Sequence, residues 1–178
     1  MLRTARLLLR PMAVDDVDFV FRHFGDAEVQ RFLVDSEPVT TRERAQSIVD
    51  FYTRSPQAPH MRWVIGRASD DEPIGTCGFH LWSRTHRRCE VGYDLAPSSW
   101  GQGLMTEALR AVLTHGFGEM ELHRVAAYIH PDNTASLRLA ERLGFAHEGI
   151  ARALFRQGST YHDHCMLSLL AGELTPAI

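Results

Sequence analysis

The chain has 178 residues, of which 44% are hydrophobic and 23% charged, with 19 basic and 22 acidic side chains giving a formal charge of −3. That is the composition of one globular domain able to bury a sizeable core, and its well-mixed charges, apart from a small basic knot at Arg84, Arg87 and Arg88, call for no nucleic-acid partner. Cys77, Cys89 and Cys165 lie far apart without a C-x-x-C pair, which argues against a disulfide framework or a cysteine zinc site and fits a reducing cytoplasm. The apolar run within 1–10 is too short for a signal-peptide core and no stretch is long enough to span a bilayer, so secretion and membrane insertion are not expected.

In chain order, Leu7 to Leu9 between arginines predict a short strand ended by Pro11, and Asp15 and Asp16 then cap an amphipathic helix carrying Val17, Val20, Phe21 and Phe24 to Gly25. Thr40 and Glu43 have capping-box spacing, so a second helix with Ala45, Ile48, Val49 and Tyr52 on one face is expected from Thr40 to the Pro56–Pro59 region. Strand patterns over 61–68, 73–82 and 88–95, separated by turn-rich stretches, predict an antiparallel meander. A long helix over 103–117 presents Leu104, Ala108, Leu109, Val112, Leu113 and Phe117. A strand over 123–130, a helix over 133–143 closed by Gly144, and strands over 145–154 and 161–170 complete the chain. The order β-α-α-β-β-β-α-β-α-β-β is an α/β layout of a mixed central sheet with helices on both faces, in one domain over 1–178.

The segment from Leu95 and Ala96 through Pro97, Trp100, Gly101, Gln102 and Gly103 to Leu104, Met105 and Thr106 runs from a strand end through a glycine turn into a helix. Such a turn lets backbone approach a ligand closely and points unpaired helical N–H groups at it, which suits a phosphate or pyrophosphate. Taken alone, a Gly-x-Gly before a helix is more often ordinary turn chemistry. A dinucleotide fingerprint fails because Thr106 replaces its third glycine and a meander precedes the turn, and a nucleoside-triphosphate loop fails for want of Gly-Lys-Ser/Thr.

With Glu90-Val91-Gly92-Tyr93, His130-Pro131-Asp132-Asn133-Thr134-Ala135-Ser136 and Leu143-Gly144-Phe145 in order around that turn, the sequence resembles the GNAT superfamily of acetyltransferases, in its Rim-type ribosomal-protein branch. The resemblance spans nearly the whole chain, from Arg6 to Asp163. It implies a sheet that splays after the fourth strand and holds acetyl-CoA in the gap, with pantetheine along the main chain of Leu95 and Ala96. The amides of Gly101, Gln102, Gly103, Leu104, Met105 and Thr106 would take the pyrophosphate, and Asn133 and Ser136 would face the pantetheine and thiol end. Trp100 and Met105 depart from the broad superfamily signature in ways usual for this branch. Ala140 stands where many members place a tyrosine general acid, so another group must protonate the leaving thiolate.

Amine acetylation needs a neutral nucleophile, an oxyanion donor and a proton for the thiolate. Ser136, one turn after Asn133, is the candidate proton donor, set against a helix-start serine bonding local backbone. Glu90 on the strand leading to the acetyl group is the candidate base, set against a strand carboxylate paired with an arginine; His80 or a water are the other options. The oxyanion is assigned to a backbone N–H near Leu95. His162, Asp163, His164 and Cys165 alternate across a strand, so no metal is expected, and Trp63, Trp82 and Tyr93 are read as core aromatics, set against a role lining an acceptor pocket. The acceptor is a primary amine: a protein N-terminus, or a small molecule such as a polyamine, aminoglycoside or amino acid, an option kept open by the acidic Asp15, Asp16, Glu28, Asp35 and Glu37. A CoA-binding module without catalysis is the reading from another class. The sheet edge near the last strand could pair with a second copy.

Overall fold

The computed structural model describes residues 1–33, 37–55 and 58–176. Strands β1 (Leu2–Arg3) and β2 (Leu7–Pro11) are followed by helices α1 (Val17–Gly25), α2 (Ala27–Gln30) and α3 (Arg42–Thr53), then by strands β3 (Met61–Arg67), β4 (Pro73–Ser83) and β5 (Arg88–Leu95). Helix α4 (Leu104–Gly118), strand β6 (Arg124–Ile129), helix α5 (Thr134–Leu143) and the hairpin β7 (Ala146–Gln157) and β8 (Thr160–Leu170) complete it. The expected order holds, with β1 and the single turn of α2 added.

Several boundaries moved for local reasons. Asp16 does not cap α1; its carboxylate accepts from the Ala13 amide at 2.7 Å and pairs with Arg10 at 2.6 Å, which fixes a 3-10 turn over Val14–Asp16. Asp26 Oδ1 accepts from the amides of Glu28 and Val29, and this creates α2. Thr41 rather than Thr40 caps α3, its hydroxyl accepting from the Arg44 amide at 3.2 Å. The end of α3 expected at Pro56 lies outside the described residues. Strand β7 runs on to Gln157, beyond the predicted end, since it pairs with β8 as far as Gln157 with Thr160.

One mixed sheet has the order β1-β2-β3-β4-β5-β6-β8-β7. Strand alternation splits its side chains into two cores. Trp63 and Ile65 join the core under α4 and α5, while Val64 joins the one under α1 and α3. Helix α4 buries Leu109, Val112 and Leu113 almost completely, each worth about 1.5–3 kcal/mol. It sits so close to β4 that a Cβ at Gly116 would meet Phe79 at 2.8 Å. The last strand β8 is interior and its antiparallel hairpin partner β7 forms the edge, so an edge does lie beside the last strand. Burial decides this: β8 hides Cys165, Leu167 and Leu169, whereas β7 is mostly exposed.

The feature that positions the site is the junction of β5 and β6. It is the sheet's parallel pairing, and it covers only Arg88 with Arg124, Cys89 with Val125 and Glu90 with Ala126. Beyond Glu90 the two strands continue without pairing to each other, so the sheet opens toward their C-terminal ends.

Candidate active site

The opened strands and the flanking helices enclose a cleft of about 1310 Å³. The Ala96 amide donates to the Ile74 carbonyl at 2.7 Å, so the even-numbered main-chain groups at this end of β5 face β4. By alternation those of Tyr93 and Leu95 face the gap. The Leu95 carbonyl is taken by Trp100 Nε1 at 2.6 Å, which leaves its N–H as the group directed into the cleft.

At the mouth of α4, Gly101 and Gly103 have φ of 72° and 73°, the left-handed region that glycine enters without strain. A Cβ at Gly101 would meet nothing within 4 Å, so the turn is open on its outer side. The first helical bond of α4 runs from the Glu107 amide to the Gly103 carbonyl at 3.1 Å, and the amides of Leu104, Met105 and Thr106 therefore have no partner inside the helix. The loop is tied from behind: Arg6 donates to the Gln102 carbonyl at 3.0 Å and pairs with Glu107 at 2.7 Å, and Gln102 Nε2 donates to the Ser98 carbonyl at 3.0 Å. This is a prearranged cradle for an anion.

Across the gap, Asn133 caps α5, its Oδ1 accepting the Ser136 amide at 3.2 Å, so its NH2 group is left for a ligand. The Ser136 hydroxyl lies 2.6 Å from Tyr93 Oη. Burial pushes the Tyr93 hydroxyl up to about 12, against a smaller lowering by Ser136.

On the other face of β5 stands a buried polar network. Asp94 accepts from Thr76 Oγ1 at 2.6 Å and the Thr76 amide at 2.9 Å, contacts His23 Nε2 at 2.6 Å, and is paired with Arg62. Burial raises its carboxyl, but Arg62, His23 and Thr76 outweigh that and hold it at about 2. Arg62 also donates to Thr76 Oγ1 at 2.8 Å and reaches His80 Nε2 at 3.1 Å, while His80 Nδ1 is 3.4 Å from Tyr52 Oη. Burial, with Arg62 and His60 adding to it, brings His80 down to about 4. Its Nε2 faces the Arg62 guanidinium, an arrangement that disfavours His80 as a proton acceptor. Gly92 makes room for it, since a Cβ there would stand 3.2 Å from His80 Nε2.

Of the residues singled out from sequence, Glu90, Leu95, Gly101, Gly103, Met105, Thr106, Asn133 and Ser136 line this one cleft. Three do not. Ala96 has its amide and carbonyl bonded to Ile74 and Ser99, Leu104 is 3% exposed in the core, and Gln102 faces a separate hollow beside Ala5, Arg6 and Arg67. Sequence reasoning missed Tyr93, Arg62 and Asp94. Tyr93 carried a signal in its place two residues before Leu95 on the same strand face, but its partner is 43 residues away. Among the described residues no group of His, Cys, Asp or Glu is arranged to hold a metal ion.

A mixed sheet opened between two parallel strands, with a glycine turn and free helical amides at the mouth of the following helix, is an architecture suited to a long, phosphate-bearing ligand. Residues 6–146 match the family model described as an acetyltransferase (GNAT) domain, and the chain belongs to that family. It is 35% identical over 170 residues to the uncharacterized N-acetyltransferase YoaA of Bacillus subtilis, covering 95% of this chain and 96% of that one. Over 108 residues, 60% of this chain and 56% of the relative, it is 32% identical to the [ribosomal protein uS5]-alanine N-acetyltransferase of Escherichia coli. Its fold matches that of spermidine N-acetyltransferase from Vibrio cholerae, solved with CoA and spermine, with a TM-score of 0.84 at 20% identity over 96% of this chain and 98% of that one. The protein is an N-acetyltransferase, and the acyl donor of its family is acetyl-CoA.

Proposed function

We propose that the protein acetylates a protein N-terminal α-amino group, as a Rim-type enzyme does. The observation that carries this is the charge of the wall facing the acceptor. Around the cleft Glu28, Glu90, Asp94 and Asp132 are matched by Arg31, Arg44, Arg62, Arg138 and Arg142, and Asp94 is paired with Arg62 and in contact with His23. Arg44 Nε is buried with no hydrogen-bond partner among the described residues. A polyamine would place several cations against that arginine, which favours a singly charged or neutral acceptor. Of the acidic residues that kept the polyamine option open, Glu28 is the one that lines the cleft; Asp16 is tied to Arg10, and Asp35 lies outside the described residues. The partial match to an enzyme named for a ribosomal alanine N-terminus supports the same reading.

The geometry supports the following roles. Amides of the Gly101–Thr106 turn bind the donor's pyrophosphate, the Asn133 amide group meets the pantetheine, and the Leu95 N–H takes the oxyanion. An α-amino group of pKa about 7.7–8.0 is partly neutral at pH 7, so Glu90, directly or through water, needs only to accept the proton shed after attack. Ser136 protonates the departing sulfur. A role as a non-catalytic CoA-binding module is disfavoured because Ser136 bonds to Tyr93 instead of local backbone. The free buried thiols of Cys77, Cys89 and Cys165 fit a reducing cytoplasm.

The test is thiol release from acetyl-CoA with peptides bearing free N-termini, polyamines, aminoglycosides and amino acids, beside the melting-temperature shift produced by CoA. Turnover of peptides and not of polyamines is expected. Preference for spermidine or spermine would overturn the acceptor assignment, and the absence of a CoA shift would remove the cradle.

A further inference from the structure

Ser136 carries a single hydroxyl hydrogen, and the direction of that hydrogen decides whether the residue can protonate a leaving group. If Ser136 donates to Tyr93, only lone pairs face the cleft and it is useless as an acid. A phenol is the stronger donor and weaker acceptor of the two, and burial keeps Tyr93 protonated well above neutral pH. Either oxygen could donate across the 2.6 Å contact, and this difference in donor strength favours Tyr93 Oη as the donor to Ser136 Oγ. The Ser136 amide is already anchored on Asn133 Oδ1, so the serine is fixed from two sides. Both residues line the cleft, one on β5 and one on α5, where the strands part.

We propose that Tyr93 is a positioning residue for acetyl transfer: by donating to Ser136 it turns the serine hydrogen toward the sulfur and makes that hydrogen more acidic. This rests on the reading of Ser136 as proton donor. As the C–N bond forms and the C–S bond breaks, the sulfur takes the Ser136 proton. The proton lost by the nitrogen is taken up by Glu90 and returns from there through water to the serine oxygen, so nothing is oxidised or reduced and Tyr93 keeps its own hydrogen. A chain of two hydroxyls polarises each member, which is why the second one matters.

The test is Tyr93→Phe, which removes one oxygen and keeps the ring. The kcat is expected to fall about tenfold or more while KM for acetyl-CoA stays within about twofold, the signature of an interaction made in the transition state. Tyr93→Phe combined with Ser136→Ala should be no slower than Ser136→Ala alone. An acetyl thioester of a more acidic thiol, which needs less help to depart, should shrink the Tyr93→Phe defect, whereas a packing defect would persist with either donor. An unchanged kcat, effects that multiply in the double variant, or equal defects with both thioesters would overturn the proposal. Should the Phe variant not fold, 3-fluorotyrosine at position 93 changes the hydroxyl's acidity and keeps the packing; its effect on kcat must vanish in Ser136→Ala. A wild type that acetylates no amine overturns the proposed function and this inference together. An unimpaired Ser136→Ala removes the serine's role, and an impaired Ser136→Ala beside an unimpaired Tyr93→Phe removes only that of Tyr93.

Discussion

Replacing Arg62 by Met tests whether the buried network behind β5 holds the open strand in place. The substitution removes the ion pair with Asp94, the donor to Thr76 at 2.8 Å and the contact with His80 at 3.1 Å, in a place where the Asp94 side chain is 3% exposed. Stripping one partner from a buried pair costs about 3–5 kcal/mol because the other charge is left in low dielectric. Asp94 would retain His23 and the Thr76 amide and hydroxyl, and those contacts place the expected loss at the lower end, about 3 kcal/mol. For a domain of this size each kcal/mol lowers the melting temperature by about 2–4 °C, so a drop of about 6–12 °C is expected. Urea melts at neutral pH should give the same free energy with an unchanged m-value. The Asp94 carboxyl, released from the guanidinium, should titrate higher, so the variant should lose stability at a higher pH than the wild type as acid is added. A loss under about 1 kcal/mol, or an acid limb at the wild-type position, would refute the reasoning and mean that His23 alone can hold the carboxylate.

Ser136→Ala should slow turnover about a hundredfold at saturating substrates and leave the melting-temperature shift with CoA unchanged, checked by steady-state kinetics beside thermal melts. Gly103→Ala forces a φ of 73° on a residue with a Cβ whose nearest neighbour would be Arg6 at 3.7 Å, so its cost is backbone strain alone, about 1 kcal/mol. Its CoA affinity should nonetheless fall at least tenfold, because the amides of the turn move; titration calorimetry measures it. His80 is depressed from 6.5 to about 4 in the fold, so its contribution is complete above pH 6.5 and lost as pH falls from there toward 4. That amounts to about 3 kcal/mol, and His80→Asn should flatten the stability curve over that window.

The secondary structure was readable because each element carries its own period. The stripe of Leu109, Val112 and Leu113 needs a helix, and the glycines between Leu95 and Thr106 announce a turn before it, which only the accompanying motifs turned into an anion site. Boundaries slipped where a single side chain decided them, as when Thr41 took the cap from Thr40. The interior place of β8 was latent in the contrast between its apolar Cys165, Leu167 and Leu169 and the polar β7, since the strand with more to bury takes the inner position.

Local pattern thus determined the elements and the glycine turn, because these depend on neighbours within a few positions, while Asn133 and Ser136 were picked out through the family resemblance. Tertiary structure alone decided what the polar groups touch. Asp94 meets a histidine 71 residues away and an arginine 32 residues away, Tyr93 meets a serine 43 residues on, and His80 is pushed down by burial and by a guanidinium from the neighbouring strand. Hydrogen bonds and ion pairs are short-ranged in space and indifferent to sequence separation, so the chemistry of each group became definite only when the sheet brought its partner within about 3 Å.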